Sequence, residues 1–173
     1  MANHLRFAPV LLLMSFMVGT HAQQRWDYEK QRTLAEMTKL RRETVNRRHP
    51  VFSGSDAGDF ALNNSAVTSR VKLRYMGERR ALPVSKRRLL DGMAGAYALD
   101  PASMRGLVEE VLFKEGDQEY WIPTKEKIIS LLEERLKTGK EVMLYIDLVG
   151  AYRTAGKWEW VFTVNELAPP TAP

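Results

Sequence analysis

The chain has 173 residues, no cysteine and a formal net charge of +5, with a sequence pI of 9.5. The absence of cysteine excludes a disulfide framework, a thiolate zinc site and a thiol-linked lipid. The basic balance speaks to solubility and to anionic partners rather than to any fold.

The chain starts with Arg6 in a short polar stretch, followed by an apolar run from Phe7 to Val18 and then Gly19-Thr20-His21-Ala22. This is the layout of a secretory signal peptide, with small residues Thr20 and Ala22 at the positions a signal peptidase needs. A membrane anchor needs about 20 apolar residues, and neither this run nor any later one is long enough. Residues 1–22 are therefore expected to be removed near Ala22. What remains is a secreted or periplasmic protein with no transmembrane segment in its mature chain, and export argues against nucleic acid as a partner.

Residues 23–48 are highly charged and free of Gly and Pro, so they favour a helix. Trp26, Leu34, Met37 and Leu40 make only a ragged apolar stripe along it, which predicts a weakly anchored extension. His49-Pro50 ends that helix. The Gly-, Ser-, Asn- and Asp-rich stretch that completes residues 49–69 reads as a linker. At the other end, residues 168–173 form a Pro-rich tail unsuited to a sheet.

Between these flanks, residues 70–167 show the clearest periodicity. Val71, Leu73 and Tyr75 alternate with Lys72, Arg74 and Met76, a strand with one buried face. Ser85 is placed to cap a helix running to about Ala98. Leu107 to Lys114 and Gln118 to Ile122 are two extended runs joined at Glu115-Gly116-Asp117, a hairpin with glycine in its turn. Thr124 is expected to cap the strongest helix, with Ile128, Ile129, Leu132 and Leu136 on its apolar side, and Gly139 to close it. Two final strands follow, one with Val142, Leu144, Ile146 and Leu148 on one side, the other with Trp158, Trp160, Phe162 and Val164. The segment from Gly150 to Lys157 reads as the turn between them.

With the first helix treated as an insertion, this is five strands with a helix between the third and fourth. That order resembles the OB-fold, a five-stranded, partly open barrel. The expected class is thus α+β, a small OB-like β-barrel preceded by a signal peptide and a charged helix. An SH3-like barrel or an open sheet packed on the Thr124 helix gives a similar pattern. On this reading a chain starting near Ser69 suffices to fold.

Catalytic chemistry is not legible. Beyond the signal region His49 is the only histidine, and it falls in the linker, so no Ser-His-Asp or Cys-His arrangement and no His-rich metal site can be assembled; no cofactor is implied. Glu109-Glu110 and Glu133-Glu134 are adjacent acids whose side chains diverge, which reads as solvated surface. Asp147 falls on the outer face of its strand. Trp158 and Trp160 fit a barrel core better than an exposed stacking platform, because Phe162 and Val164 continue their face.

Basic residues carry the remaining signal. Arg79, Arg80, Lys86, Arg87, Arg88 and Arg105 crowd the connection between the first two strands, while Arg153 and Lys157 lie between the last two. In an OB-fold these two connections flank the ligand groove. The expectation is an exported, noncatalytic binding or accessory module of the cell envelope that meets an anionic component or an acidic partner protein through those loops. The alternatives are a structural accessory subunit that docks through its charged helix, and a glycan hydrolase working with carboxylates alone.

Overall fold

A computed structural model describes residues 30–40, 52–54, 58–62, 68–96, 104–155 and 157–168. The expected signal peptide, most of the expected charged helix and the residues after Ala168 lie outside the described residues. The strands and helices below all belong to one unit, Gln31–Pro173.

In chain order these elements are α1 (34–40), β1 (Phe52–Gly54), β2 (Gly58–Leu62), β3 (Thr68–Ala81) and α2 (Val84–Ala96). They are followed by β4 (Glu109–Glu115), β5 (Gln118–Thr124), α3 (Glu126–Arg135), β6 (Glu141–Thr154) and β7 (Lys157–Leu167). Strands β3, β4, β5, β7 and β6 lie side by side in that order, and β6 returns to β3 to close a five-stranded mixed barrel. All neighbours are antiparallel except β5 and β7, which run parallel and meet at the single register pair Thr124–Val164. A small α+β barrel with a helix between its third and fourth strands therefore agrees with the sequence reading.

Alternation fills the barrel. Val71, Leu73 and Tyr75 of β3, Val111 and Phe113 of β4, Ile122 of β5, Leu144, Ile146 and Leu148 of β6, and Phe162 and Val164 of β7 point into one core with Ile128, Ile129 and Leu132 of α3. Tyr75 and Phe113, and Tyr120 and Phe162, add tilted and edge-on ring contacts. A second, smaller cluster lies outside the barrel, where Leu89 and Leu90 of α2 meet Leu107, Val149, Tyr152 and Val161. The register slips between Leu148 and Gly150, which lets Val149 join that outer cluster while Leu148 stays inside.

Several boundaries differ from the sequence reading. The stretch expected to be a linker contains β1 and β2, a short hairpin whose second strand pairs with β6 at Phe60–Tyr152 and Leu62–Gly150. Edge pairing to a long strand stabilises residues whose own composition favours loop. β3 continues past Gly77 on β4: its pairing with β6 ends at Arg74, while its pairing with β4 runs from Arg74 to Ala81 with a register shift between Tyr75 and Arg79. Gly77 takes φ +76 there, and a Cβ on it would stand 2.4 Å from Thr138 Oγ1. Thr124 does not cap α3: it is buried at the end of β5, donates to the Ile122 carbonyl at 2.8 Å, and leaves Lys125 at the N-cap. α3 ends at Arg135, with Leu136 already extended. The expected turn from Gly150 to Lys157 is mostly strand, since Thr154 and Lys157 already face each other as register partners.

The amino-terminal correction matters most. Leu34 and Met37 are fully buried in the barrel core, so residues 31–40 belong to the domain rather than to a loose extension. Thr33 and Glu36 form a reciprocal capping box at the start of α1, Thr33 N to Glu36 Oε2 at 2.9 Å and Glu36 N to Thr33 Oγ1 at 3.0 Å. Arg32 reaches Ser69 Oγ at 2.8 Å, and its N–H donates to the Arg70 carbonyl at 3.0 Å, which fixes the segment along β3.

Candidate functional site

The basic residues divide into two groups once the side chains are placed. Arg79 and Arg80 lie on β3, not in a connection, because the strand runs to Ala81. Arg79 bridges Glu109 at 3.6 Å and Glu133 at 3.5 Å, tying β3 to β4 and α3. Arg80 donates through Nε to Glu110 at 2.8 Å, and its guanidinium lies 4.2 Å over the Trp121 ring.

Lys86, in the first turn of α2, is buried rather than solvated, with only 3% of its side chain exposed against 0% for its partner Glu110. Its ammonium also donates to the Trp121 carbonyl at 2.9 Å and lies 3.8 Å from Glu159. α2 thus pins itself across β4, β5 and β7 with one cation. Such a pair fixes geometry more than it adds stability, since desolvating two charges offsets much of their attraction. Arg87 turns the other way. It donates to the Met104 carbonyl at 3.1 Å and to that of Leu107, holding the segment after the helix against it.

Tyr152 of β6 completes the contact between α2 and the β6–β7 hairpin. Its hydroxyl hydrogen-bonds with its register partner Glu159 and with Ser85 of α2. Burial, and then the neighbouring Glu159 carboxylate, push the phenol well above the ordinary tyrosine range.

The remaining basic residues are exposed. Arg88 is exposed one turn beyond Ser85 on α2, and Arg105 is exposed in the short helical stretch before β4. Arg153 and Lys157 are exposed at the end of the hairpin. The two segments are far apart in sequence, and the Ser85–Tyr152 and Lys86–Glu159 contacts bring them together. Within the hairpin, pairing places Arg153 beside Trp158, and Thr154 beside Lys157 on the opposite face.

Glu110, Trp121, Tyr152 and Glu159 were not legible as members of a network. Glu110 was expected on a solvated face, and its neighbour Glu109 does point outward to Arg79. Glu110, however, is covered by Lys86 of α2, and both it and Leu112 on the same face are buried. Leu112 was the available signal, because an apolar residue two positions from an acid on a supposed outer face implies a cover. Asp147 is half-buried and accepts a hydrogen bond from Thr68 Oγ1 on the adjacent strand. Trp160 packs against the core, whereas Trp158 is 37% exposed. The two tryptophans share a face but not an environment.

Among the described residues no cluster of His, Cys, Asp or Glu is arranged to hold a metal ion, and no helix is long and apolar enough to cross a membrane. Comparison with protein-family models, with curated proteins and with solved structures finds no match to this chain.

Proposed function

We propose that the protein is an exported, noncatalytic binding module of the cell envelope that recognises an anionic component or an acidic partner through cations on α2 and the β6–β7 hairpin. The observation that carries this reading is the docking of α2 on the hairpin through Ser85–Tyr152 and Lys86–Glu159, which brings the segments that bear Arg88, Arg153 and Lys157 together. Export rests on the layout of residues 1–22. The strand order, with α3 between the third and fourth barrel strands, supports an OB-like reading. In that fold the connection after the first strand and the one between the fourth and fifth flank the groove, and here these are α2 and the β6–β7 turn.

A noncatalytic role fits the engagement of the acids. Glu110 is held by Lys86 and Arg80, Glu109 and Glu133 by Arg79, and Glu115 by the start of α1. The burial of Leu34 and Met37 weighs against docking through the charged helix, because these two apolar residues are already used in the barrel core.

The test is association of the purified protein with acidic polysaccharide and with anionic vesicles across a salt series. Exposed charges are screened beyond the Debye length, about 8 Å at physiological ionic strength, so binding should weaken as salt rises. Replacing Arg88, Arg153 and Lys157 together with Glu should abolish association without unfolding the chain. Arg87 is left intact because its carbonyl contacts are structural. Binding unchanged by salt and by the triple reversal would remove the reading, as would recovery of the chain from the cytosolic fraction.

A further inference from the structure

We propose that the turn from β3 into α2, together with the stretch before β4 that lies beside it, docks the protein on an anionic lipid bilayer. Val84 and Val108 enter the headgroup layer, and Arg105 and Lys125 pair with lipid phosphates. This rests on the reading that the protein binds an anionic envelope component, and it narrows that component to a membrane surface.

The feature begins as a run of sequence. β3 ends at Ala81, and Ala81-Leu82-Pro83-Val84 places four apolar residues in a row, none of them fully buried. Folded domains avoid such runs at the surface unless they serve a contact. Pro83 opens α2, its carbonyl accepting from Arg87 N–H at 3.0 Å, so Val84 sits in the first turn of the helix and is 69% exposed. Val108, just before β4, is 51% exposed.

The two valines belong to one surface. Leu82 N–H donates to the Val108 carbonyl at 2.9 Å, and Arg87 of α2 holds the carbonyls of Met104 and Leu107. Leu82 and Met104 are half-buried against the small outer cluster. The valines therefore continue an apolar surface, whereas an exposed side chain standing alone would mean little.

Cations border it. Arg105 is exposed, and the stem of Lys125 runs past Gly106, whose added Cβ would stand 4.0 Å from Lys125 Cγ. Among the described residues neither cation has an ion-pair partner. Of the acids alongside, Glu109 is held by Arg79 and Glu110 is buried with Lys86, while Glu126 and Lys127 are both exposed and offset each other. α2 has no acid in its first turn to repel a phosphate.

A bilayer offers both halves of what this surface presents, phosphates at its face and apolar chains beneath. An acidic polysaccharide offers charge without an apolar layer, which leaves the valines unused. Two valines bury little area, so the attachment is reversible and depends on the cations.

The experiment uses the chain from Gln23 to Pro173, which holds every described element and lacks the apolar run at Phe7 to Val18 that would itself enter lipid. It is titrated with phosphatidylcholine vesicles with and without phosphatidylglycerol and with a soluble oligogalacturonate. The anionic vesicles should bind and the neutral ones should not. Val84→Ser with Val108→Thr should weaken vesicle binding about tenfold while circular dichroism and any affinity for oligogalacturonate stay unchanged. Arg105→Gln and Lys125→Gln should each weaken it about fivefold. The chain has no cysteine, so Val84→Cys accepts a single environment-sensitive dye, whose emission should shift to the blue on anionic vesicles. The same dye on Glu119→Cys, beyond the opposite end of β4, should not shift. Undiminished vesicle binding by the folded double valine variant overturns the proposal, as does a shift at Glu119 without one at Val84. Binding of oligogalacturonate but not of vesicles also overturns it and leaves the broader anionic reading standing. If neither acidic probe binds, both fall.

Discussion

The β4–β5 hairpin turns through Glu115-Gly116-Asp117, whereas the β6–β7 hairpin turns after Thr154 and presents Arg153, Lys157 and Trp158 at its end. In the first, the charged tip is built into the fold. The Glu115 carboxylate accepts from Leu34 N–H at 2.9 Å and from Ala35 N–H at 3.3 Å, so an acid from the barrel sits at the positive end of α1. In the second, the charges stand beyond the covered part of the strands. Sequence presents both as charged turns between alternating strands. Among the described residues, what separates them is that α1 packs on the acidic tip, and that is decided by a part of the chain remote from the hairpin.

The largest effect should come from the element that the acidic hairpin secures. Leu34 and Met37 are fully buried, so Leu34→Ala or Met37→Ala should lose about 2–5 kcal/mol each through lost transfer energy and the cavity left behind. Urea denaturation of the full chain measures this. A chain beginning at Ser69 removes both side chains and should fail to reach a cooperative transition. If either alanine variant keeps its midpoint, α1 is dispensable and the original domain boundary at residue 70 stands.

Next in size is the network behind the basic hairpin. Glu110→Gln leaves Lys86 buried without its close carboxylate, and removal of one member of a buried pair costs about 3–5 kcal/mol. Replacing both, with Lys86→Met and Glu110→Leu, should recover most of that loss, because Arg80 is half-exposed and water can take over its charge. A double variant as unstable as the single one would mean that the pair contributes stability directly.

The same network predicts an alkaline limit. Tyr152 is held above the ordinary tyrosine range, so below about pH 10 it is neutral in both folded and unfolded chains and stability is unaffected. As pH rises past that value the unfolded chain releases the phenolic proton while the folded one keeps it, and the folded state loses ground. Tyr152→Phe should therefore move the alkaline unfolding midpoint upward, as followed by far-ultraviolet circular dichroism. Tyr75 and Tyr120 are raised by burial as well and should leave part of the transition in place.

What was legible in the sequence was whatever alternation encodes. Val71, Leu73 and Tyr75, or Leu144, Ile146 and Leu148, declare an inward face without help from other elements. The capping box at Thr33 and Glu36 was equally available as a spacing and marks where α1 begins. Glu110 and Lys86 were not readable, because charged residues default to solvent and only the position of α2 over β4 reverses that default. Thr124 misled for a related reason: a Thr preceding a helix signals a cap, but a strand ending at the same position claimed its hydroxyl for the Ile122 carbonyl. The candidate surface was half legible. Its residue types and the two segments that carry them were readable, whereas the division into structural cations and exposed ones depends on tertiary contacts.

A smaller effect distinguishes the hairpin tips themselves. Glu115→Ala removes the acceptor for two N–H groups at the start of α1 and should cost about 1 kcal/mol. Glu119 is an exposed neighbour paired only with Lys114 at 2.9 Å, and Glu119→Ala should change little. Equal effects from the two would mean that Thr33 and Glu36 alone secure the helix start.

The smallest change in stability is expected at the basic tip. Arg153 and Lys157 are exposed at the ends of β6 and β7, on opposite faces of the hairpin. Surface substitutions away from packed or capped positions usually fall within about 0.5 kcal/mol, so Arg153→Glu and Lys157→Glu should leave the denaturation midpoint close to that of the unmodified protein. The comparison between the hairpins depends on this near-zero result as much as on the loss at Glu115. A tip that can be reversed in charge without cost to the fold has its charges available for a ligand. A loss of 1 kcal/mol or more in either variant would show that the basic tip, like the acidic one, is committed to the fold.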